Sequence, residues 1–191
     1  LRGLEWITPI HKAIREEIPL LISYKSFKAK DAKDGIYYPY LLKEYRNRWF
    51  VICKPKKGAT LITLALDRIQ EVQEMAKAGF VAYKGVDFER YYADTIGVTK
   101  SERDRAQRVI LEIDAYNAPY VETKPIHSSQ EVLEKKENGN ILIRIDVVLN
   151  FELERELLGF GDSIKILSPA RLQSRISSRL KKAWQQYVEK K

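Results

Sequence analysis

The stretch "YYPYLLKEYRNRWFVICKPKKGATLITLALDRIQEV", residues 37–72, decides the fold of the first half of the chain. Short charged or glycine-bearing turns separate its apolar segments, and this spacing is typical of a meandering antiparallel sheet. We predict strands at 36–44, 48–54 and 60–66, followed by a further strand at 68–74. Strands that follow one another so quickly indicate a small β-barrel.

The segment before this stretch predicts one helix and one more strand. Apolar residues have helical spacing over 8–17, with Thr8 as a possible N-cap and Pro9 in the first turn. Pro19 ends the helix, and the β-branched and aromatic residues of 20–27 then favour a strand. The first half is therefore predicted to be a helix followed by a five-stranded barrel.

The second half has a different order of elements. A charged run without apolar period at 97–105 marks the boundary between a first domain, 1–97, and a second, 105–191. Beyond it we predict a strand, a short helix or turn, a hairpin around Asn138-Gly139, a helix, a strand and a long terminal helix. This βαββαβ order is the ferredoxin-like order, so the fold class is α+β.

The bulk composition limits the classes of protein. With 45% hydrophobic and 31% charged residues, a chain of 191 residues should fold, and its length allows two small domains. The net charge of +8 favours anionic partners. We find neither a signal peptide nor an apolar run of about 20 residues, so we expect no membrane partner and a cytoplasmic location. The chain begins at Leu1 and its only methionine is Met75, so we expect it to be part of a longer protein.

The sequence offers little for catalysis. Cys53 is the only cysteine, and the two histidines, His11 and His127, are far apart, so we expect no metal and no cofactor. No nucleophile with a nearby base appears, and the acidic residues cluster on faces that we expect to be solvated, such as ELERE at 152–156. We read GFGD at 159–162 as a helix end and turn. We therefore expect no enzymatic activity.

Two basic features remain with alternatives open. The turn KPKKG at 54–58 is either a solvated turn or a phosphate contact. Arg68 lies between two predicted strands, and a guanidinium held at both ends suits an anion. The other interpretation of Arg68 is an internal ion pair with Asp67 or another carboxylate.

Two regions resemble a known family. WFV at 49–51, after YPYLL and before TLALDRI, resembles the WYL domain, although Phe50 and Val51 replace the Tyr and Leu of its name. The run APYVETKPIHSSQ at 118–130, followed by NFELERELLGFGDSIKILSPARLQSRI, resembles the C-terminal extension that follows WYL domains in bacterial transcriptional regulators. The resemblance extends from about Thr8 to Tyr187.

The resemblance implies both fold and function. It implies an Sm-like or SH3-like barrel followed by a ferredoxin-like domain, with an N-terminal winged helix-turn-helix that reads DNA missing from this chain. The barrel would sense an anionic effector, either a nucleotide or single-stranded nucleic acid, and the extension would assist formation of a homodimer. A stand-alone module that binds single-stranded nucleic acid is the alternative. The terminal helix could either close its own core or pair with a second subunit.

The resemblance also implies site residues. Tyr24 in ISYKS matches the family's strand tyrosine, and Arg68 in LDRI matches its most recurrent arginine. Many members have another arginine where this chain has Ala65, so the ligand or its affinity can differ. Trp49 is assigned to the core. Weaker ligand-binding candidates flank these positions or lie at the predicted barrel rim: Ser23, Tyr37, Arg46 and Arg48.

Overall fold

The computed structural model describes residues 2–188 and divides the chain into two compact units. The first runs to Tyr92 and includes Ser101–Arg103, and the second contains Ala93–Lys100 and the described residues from Asp104 onward. Each unit contains one antiparallel sheet with helices, so the chain is α+β. No helix within residues 2–188 is long and apolar enough to cross a membrane.

The first unit contains the predicted helix and five strands. They are α1 (Ile7–Arg15), β1 (Leu20–Tyr24), β2 (Lys33–Tyr45), β3 (Arg48–Pro55), β4 (Ile62–Ala65) and β5 (Ile69–Glu74). The strands form one sheet in the order β4-β3-β2-β1-β5, with every neighbouring pair antiparallel. The five predicted strands are therefore confirmed, with shifts of a few residues at their ends.

A short connection forces this sheet to curve. β4 and β5 lie at opposite edges of the sheet, yet only the 3-10 turn Leu66–Arg68 joins them. Four strand spacings would separate the edges of a flat sheet by about 19 Å. Four residue steps reach at most about 14 Å even when fully extended. The sheet must therefore curl until its two edges approach each other.

The curled sheet encloses an apolar core that α1 helps to fill. Alternate residues of β1, Leu20 and Ile22, are fully buried, and Ile10 and Ala13 of α1 pack in the same cluster. Leu66 of the β4–β5 turn is also fully buried. Trp49, which is predicted to belong to the core, is partly buried and packs against this cluster. The cluster also contains Val51, Cys53, Leu64 and Ile69.

The start of α1 differs from the prediction. The helix begins at Ile7 and its N-cap is Trp6, so Thr8 lies inside the helix and caps nothing. A 3-10 turn, Leu4–Trp6, leads directly into the helix and moves its start upstream. Gly3 precedes this turn with φ +83°, where a side chain would collide with the backbone of Leu66.

The segment after β5 covers the sheet with aromatic rings. Tyr40 stacks on Phe88 with 5.1 Å between ring centroids, and Tyr38 meets the edge of Phe80 at 5.6 Å. The Tyr40 hydroxyl donates to the carbonyl of Val81 at 2.7 Å. Residues 88–92 form turns, and these turns bring the Phe88 ring onto Tyr40.

The second unit has the predicted βαββαβ order and a terminal helix. Its elements are β6 (Gln107–Ile113), α2 (Ala118–Thr123), β7 (Glu131–Lys135), β8 (Ile141–Val147), α3 (Phe151–Gly159), β9 (Ile164–Ser168) and α4 (Ala170–Val188). The sheet order is β7-β8-β6-β9, and all three pairings are antiparallel. Alternate residues of β6 and β8 are buried in one cluster with residues of α3 and α4.

Two polar side chains attach the segment Ala93–Lys100 to the second unit. The Asn150 amide donates to the carbonyls of Ile96, at 2.8 Å, and Thr99, at 3.1 Å. Glu152 Oε1 accepts from the backbone N–H groups of Val98 and Thr99, both at 3.1 Å. These bonds explain why residues that the sequence placed on both sides of position 97 belong to the second unit.

The terminal helix α4 is covered along only part of its apolar stripe. Leu172 and Ile176 are buried in the core of the second unit. Leu180 is 41% exposed and Trp184 62% exposed, so within the described residues the stripe is open over the C-terminal half of the helix. The first half of α4 thus closes its own core.

Replacing Leu66 by Ala should test the closing turn. We expect the first unit to lose about 2–5 kcal/mol of unfolding free energy, because a fully buried leucine is truncated. Urea unfolding followed by tryptophan fluorescence in a Trp184→Phe background measures this, since Trp6 and Trp49 both belong to the first unit. Leu4→Ala, at a leucine of the first unit that is 41% exposed, is the matched control and should change the transition little. Equal effects of the two substitutions would contradict the prediction.

Candidate functional site

The candidate site is built around the turn Leu66–Arg68. The end of β1 holds this turn from one side, because the Lys25 N–H donates to the Arg68 carbonyl at 3.1 Å. The Tyr24 hydroxyl accepts from the Ala65 N–H at 3.4 Å. Tyr24 also pairs with Ile69 across the β1–β5 ladder, where the register shifts after Ser23. Tyr24 and Arg68 are the two residues that match recurrent positions of the family. Arg68 ends this turn, and Tyr24 contacts the residue just before it.

The Arg68 side chain is half-buried and lies over an aromatic ring. Its guanidinium carbon is 4.1 Å from the centroid of Phe27, whose side chain is 76% exposed. This cation–π contact orients the guanidinium plane. Among the described residues the Arg68 Nε is buried without a hydrogen-bond partner. A buried N–H of this kind is costly to leave unpaired.

Asp67 pairs with a different arginine. The Arg48 Nε lies 3.2 Å from Asp67 Oδ2, and the Asp67 side chain is only 16% exposed. The ion pair between Arg68 and Asp67, which the sequence left open, is therefore replaced by one between Arg48 and Asp67. Asp67 Oδ1 is buried and has no partner in the described part of the chain. Two arginines and one aspartate give the turn one net positive charge.

Arg46 occupies the tip of the β2–β3 hairpin. Arg46 and Asn47 have φ +50° and +60°, the left-handed pair that a two-residue hairpin turn requires. Glu44 Oε1 fixes the turn by accepting from the Asn47 N–H at 2.6 Å. The Arg46 guanidinium carbon lies 5.6 Å from the Tyr45 ring centroid.

Tyr37 faces the same interior from farther along the sheet. It pairs with Leu20, whereas Tyr24 pairs with Lys33, four residues away on β2. That separation is about 13 Å along the strand. Burial raises the pKa of Tyr37, and the nearby Cys53 and Tyr24 raise it further.

Ser23 lies on the other face of β1 from Tyr24. Strand alternation separates these neighbours, and Ser23 lines a small hollow of about 60 Å³ with Asp34 and Glu71. Two carboxylates beside Ser23 disfavour an anion there. The structure thus brings Tyr24, Arg48 and Arg68 to the same turn. It places Ser23 on the opposite face of β1, Arg46 at a hairpin tip, and Tyr37 near enough to Tyr24 for the two to interact electrostatically.

Sequence reasoning missed Phe27 as a site residue. Its signal in the sequence is an aromatic side chain in a polar loop between Lys25 and Lys28. Its position beneath Arg68 depends on the chain passing back over the β4–β5 turn, which no local pattern reveals.

Within residues 2–188, no group of three or more His, Cys, Asp or Glu side chains is arranged to hold a metal ion. Cys53 is fully buried, and burial raises the pKa of its thiol. A thiol in that state is a poor nucleophile.

Replacing Phe27 by Leu should loosen Arg68. We expect a lower order parameter for the Arg68 Nε–H vector in ¹⁵N relaxation measurements, because the ring that orients the guanidinium is removed. Phe151→Leu is the matched control, since that ring lies 5.7 Å from Arg179 in the second unit. An unchanged Arg68 signal in the Phe27 variant would show that the contact does not order the arginine.

Comparison with protein families gives two matches. The WYL domain model matches residues 5–74, and the WCX domain model matches residues 105–184. The first match contains the Leu66–Arg68 turn, and the second lies within the region whose sequence resembles the C-terminal extension. No curated protein sequence matches the chain.

Solved structures give similarity at low identity. Proteasome accessory factor B/C (PafBC) of Arthrobacter aurescens is 20% identical, with a TM-score of 0.41 over 97% of this chain and 28% of that one. The crystal structure of a CRISPR Cas-related protein is 11% identical, with a TM-score of 0.54 over 98% of this chain and 53% of that one. This chain therefore spans about half or less of the length of either structure.

The two family matches occur in order along most of the chain, and each contains a region that resembled the family in sequence. The second structure in addition shares the overall fold. The chain belongs to the WYL-domain family and carries a WCX domain after its WYL domain.

Proposed function

We propose that this chain is the effector-sensing and dimerisation region of a DNA-binding transcriptional regulator. The observation that carries the proposal is the Arg68 guanidinium, which is stacked on Phe27 and has a buried Nε without a partner in the described residues. An anionic effector would accept from the half-buried Arg68 guanidinium and meet the net positive charge that Arg48, Asp67 and Arg68 carry together. Membership of the WYL family supports the regulator assignment.

The effector class is a nucleotide or single-stranded nucleic acid. The exposed ring of Phe27 offers a face on which a base can stack, and Arg68 offers a partner for phosphate. Asp67 Oδ1 is a buried acceptor beside these groups and favours a ligand that also brings a hydroxyl or N–H donor. A sugar phosphate carries both kinds of group.

We also propose that the first unit is an Sm-like barrel and that the second unit is ferredoxin-like. The strand order β4-β3-β2-β1-β5, the preceding helix and the three-residue turn between the edge strands support an Sm-like barrel. The βαββαβ order and the sheet order β7-β8-β6-β9 support a ferredoxin-like second unit.

Regulation would require two states of the whole protein. We infer that a winged helix-turn-helix elsewhere in the protein reads DNA. We also infer that the protein is cytoplasmic and that it does not catalyse a reaction. An effector shifts operator binding only if it binds one state more tightly than the other. Hydrolysis of a nucleotide or oligonucleotide by the pure chain would contradict the non-catalytic assignment.

Arg68→Ala should test the effector site. We expect the variant to bind short fluorescent single-stranded DNA and RNA about tenfold or more weakly, because a charged donor to phosphate is lost. Fluorescence anisotropy at low and moderate salt measures this. The salt slope should fall by about 0.7, the share of one phosphate contact in a single strand.

Lys181→Ala is the control for this experiment. It removes the same charge from an exposed position of the second unit and should leave most of the affinity. If a folded Arg68 variant binds oligonucleotides as tightly as the unchanged chain, the binding site lies elsewhere in the chain. Affinity that grows with strand length would favour the stand-alone single-strand module over a nucleotide sensor.

The homodimer would use the open half of α4. Leu180, Trp184 and Val188 continue the buried stripe at intervals of four residues, and each is at least 41% exposed. We expect the chain to sediment at about twice 22.3 kDa and Trp184→Lys to sediment as a monomer. Tyr116→Lys, at an aromatic residue 78% exposed in the same unit, should remain a dimer. If the Trp184 variant stays dimeric, the contact lies elsewhere.

A further inference from the structure

A second concave site lies in the first unit, away from the β4–β5 turn. It is a pocket of about 410 Å³, within the size range of small-molecule sites. Its apolar lining comes from Leu21, Ile36, Tyr37 and Pro55. Leu21 pairs with Ile36, and Tyr37 pairs with Pro55, so these lining residues belong to the adjacent strands β1, β2 and β3. The apolar part of the pocket is therefore held by neighbouring strands.

The turn after β3 brings two lysines to this pocket. Lys56 and Lys57 belong to its lining, and both are exposed. The Lys56 N–H donates to the Ile36 carbonyl at 2.8 Å, and the Gly58 N–H donates to the Pro55 carbonyl at 2.9 Å. A side chain at Gly58 would collide with the Pro55 ring, so the close turn requires glycine. The backbone that carries the lysines is thus fixed at the pocket.

The charged residues in and beside the pocket are unevenly distributed. Lys56 and Lys57 oppose a single lining carboxylate, Asp34, so the lining has one net positive charge. Leu21 and Asp34 are shared with the small hollow that also contains Glu71. Positive charge therefore lies at the lysine end and negative charge at the other, with apolar wall between them.

We propose that this pocket binds a small organic carboxylate with an apolar body. The body would lie against Leu21 and Pro55, and the carboxylate would face Lys56 and Lys57. This assigns the lysine turn, which the sequence left open, to ligand binding. The site is independent of the proposed function, because it uses neither Arg68 nor the turn that carries it.

Protein-observed NMR of the full 191-residue chain with two matched probes tests this site. The probe 2-naphthoate has an apolar body and a carboxylate, and 2-naphthylmethylammonium has the same body with a cation. We expect 2-naphthoate to shift the amide signals of Gly35, Tyr37 and Lys56, and the cation to bind at least about fivefold more weakly. Equal or tighter binding of the cation would overturn the proposal.

Variants separate this site from other apolar surface. Lys56→Gln with Lys57→Gln should weaken 2-naphthoate about fivefold, whereas Lys181→Gln with Lys182→Gln, a matched pair of exposed lysines on α4, should not. Leu21→Trp should abolish the shifts by filling the pocket. Unchanged affinity in both pocket variants would overturn the proposal.

Arg68→Ala distinguishes the two sites. It should leave 2-naphthoate binding unchanged even where it abolishes oligonucleotide binding. Loss of 2-naphthoate binding in this variant would overturn the proposal of a separate site. Conversely, a failure of oligonucleotides to bind would count against the effector assignment and leave the 2-naphthoate result standing.

Discussion

The length of the β4–β5 turn is the constraint on which the WYL unit depends. Three residues join the two edges of a five-stranded sheet, so the sheet can form only by curling until those edges meet. Leu66 lies inside the resulting core, and Gly3 leaves room for the chain to pass beside its backbone. The end of β1 also approaches the turn, through Tyr24 and Lys25. The candidate site is thus a direct product of closing the sheet.

The same turn separates two adjacent charges. Asp67 and Arg68 are neighbours in sequence, yet Asp67 pairs with Arg48 of β3, whereas Arg68 lies over Phe27. If the two residues had paired with each other, the Arg68 guanidinium would be occupied. Because β3 supplies a separate cation, the carboxylate is compensated and the Arg68 Nε keeps its hydrogen-bonding capacity. Leaving a buried donor unsatisfied costs about 1–3 kcal/mol of folding free energy. Such a cost is most readily tolerated at a functional site, where a bound ligand can offset it.

Much of the WYL unit could be predicted from local patterns, because strands and turns leave short-range signals. The hairpin at Arg46-Asn47 and the position of Arg68 between two strands both follow from spacing. The N-cap at Thr8 was wrong because a 3-10 turn outside the helical period extends the helix. Ser23 and Tyr24 are neighbours in a strand and therefore lie on opposite faces, so strand alternation already argued against placing both at one ligand. The ring of Phe27 reaches Arg68 through a contact 41 residues apart, which spacing cannot reveal.

The WCX unit shows the same limit for charged residues. The sequence predicts that the acidic run ELERE at 152–156 is solvated, yet Glu152 and Glu154 are 6% and 3% exposed. Glu152 holds the backbone of Val98 and Thr99, and Glu154 pairs with Arg175 and Arg179 at 2.6 and 3.1 Å. Two of the arginines on α4 are therefore used inside the unit. The net charge of +8 consequently overstates the positive charge that α4 presents to an anionic partner. The half-buried Arg68, although it is a single cation, is the better candidate for specific recognition.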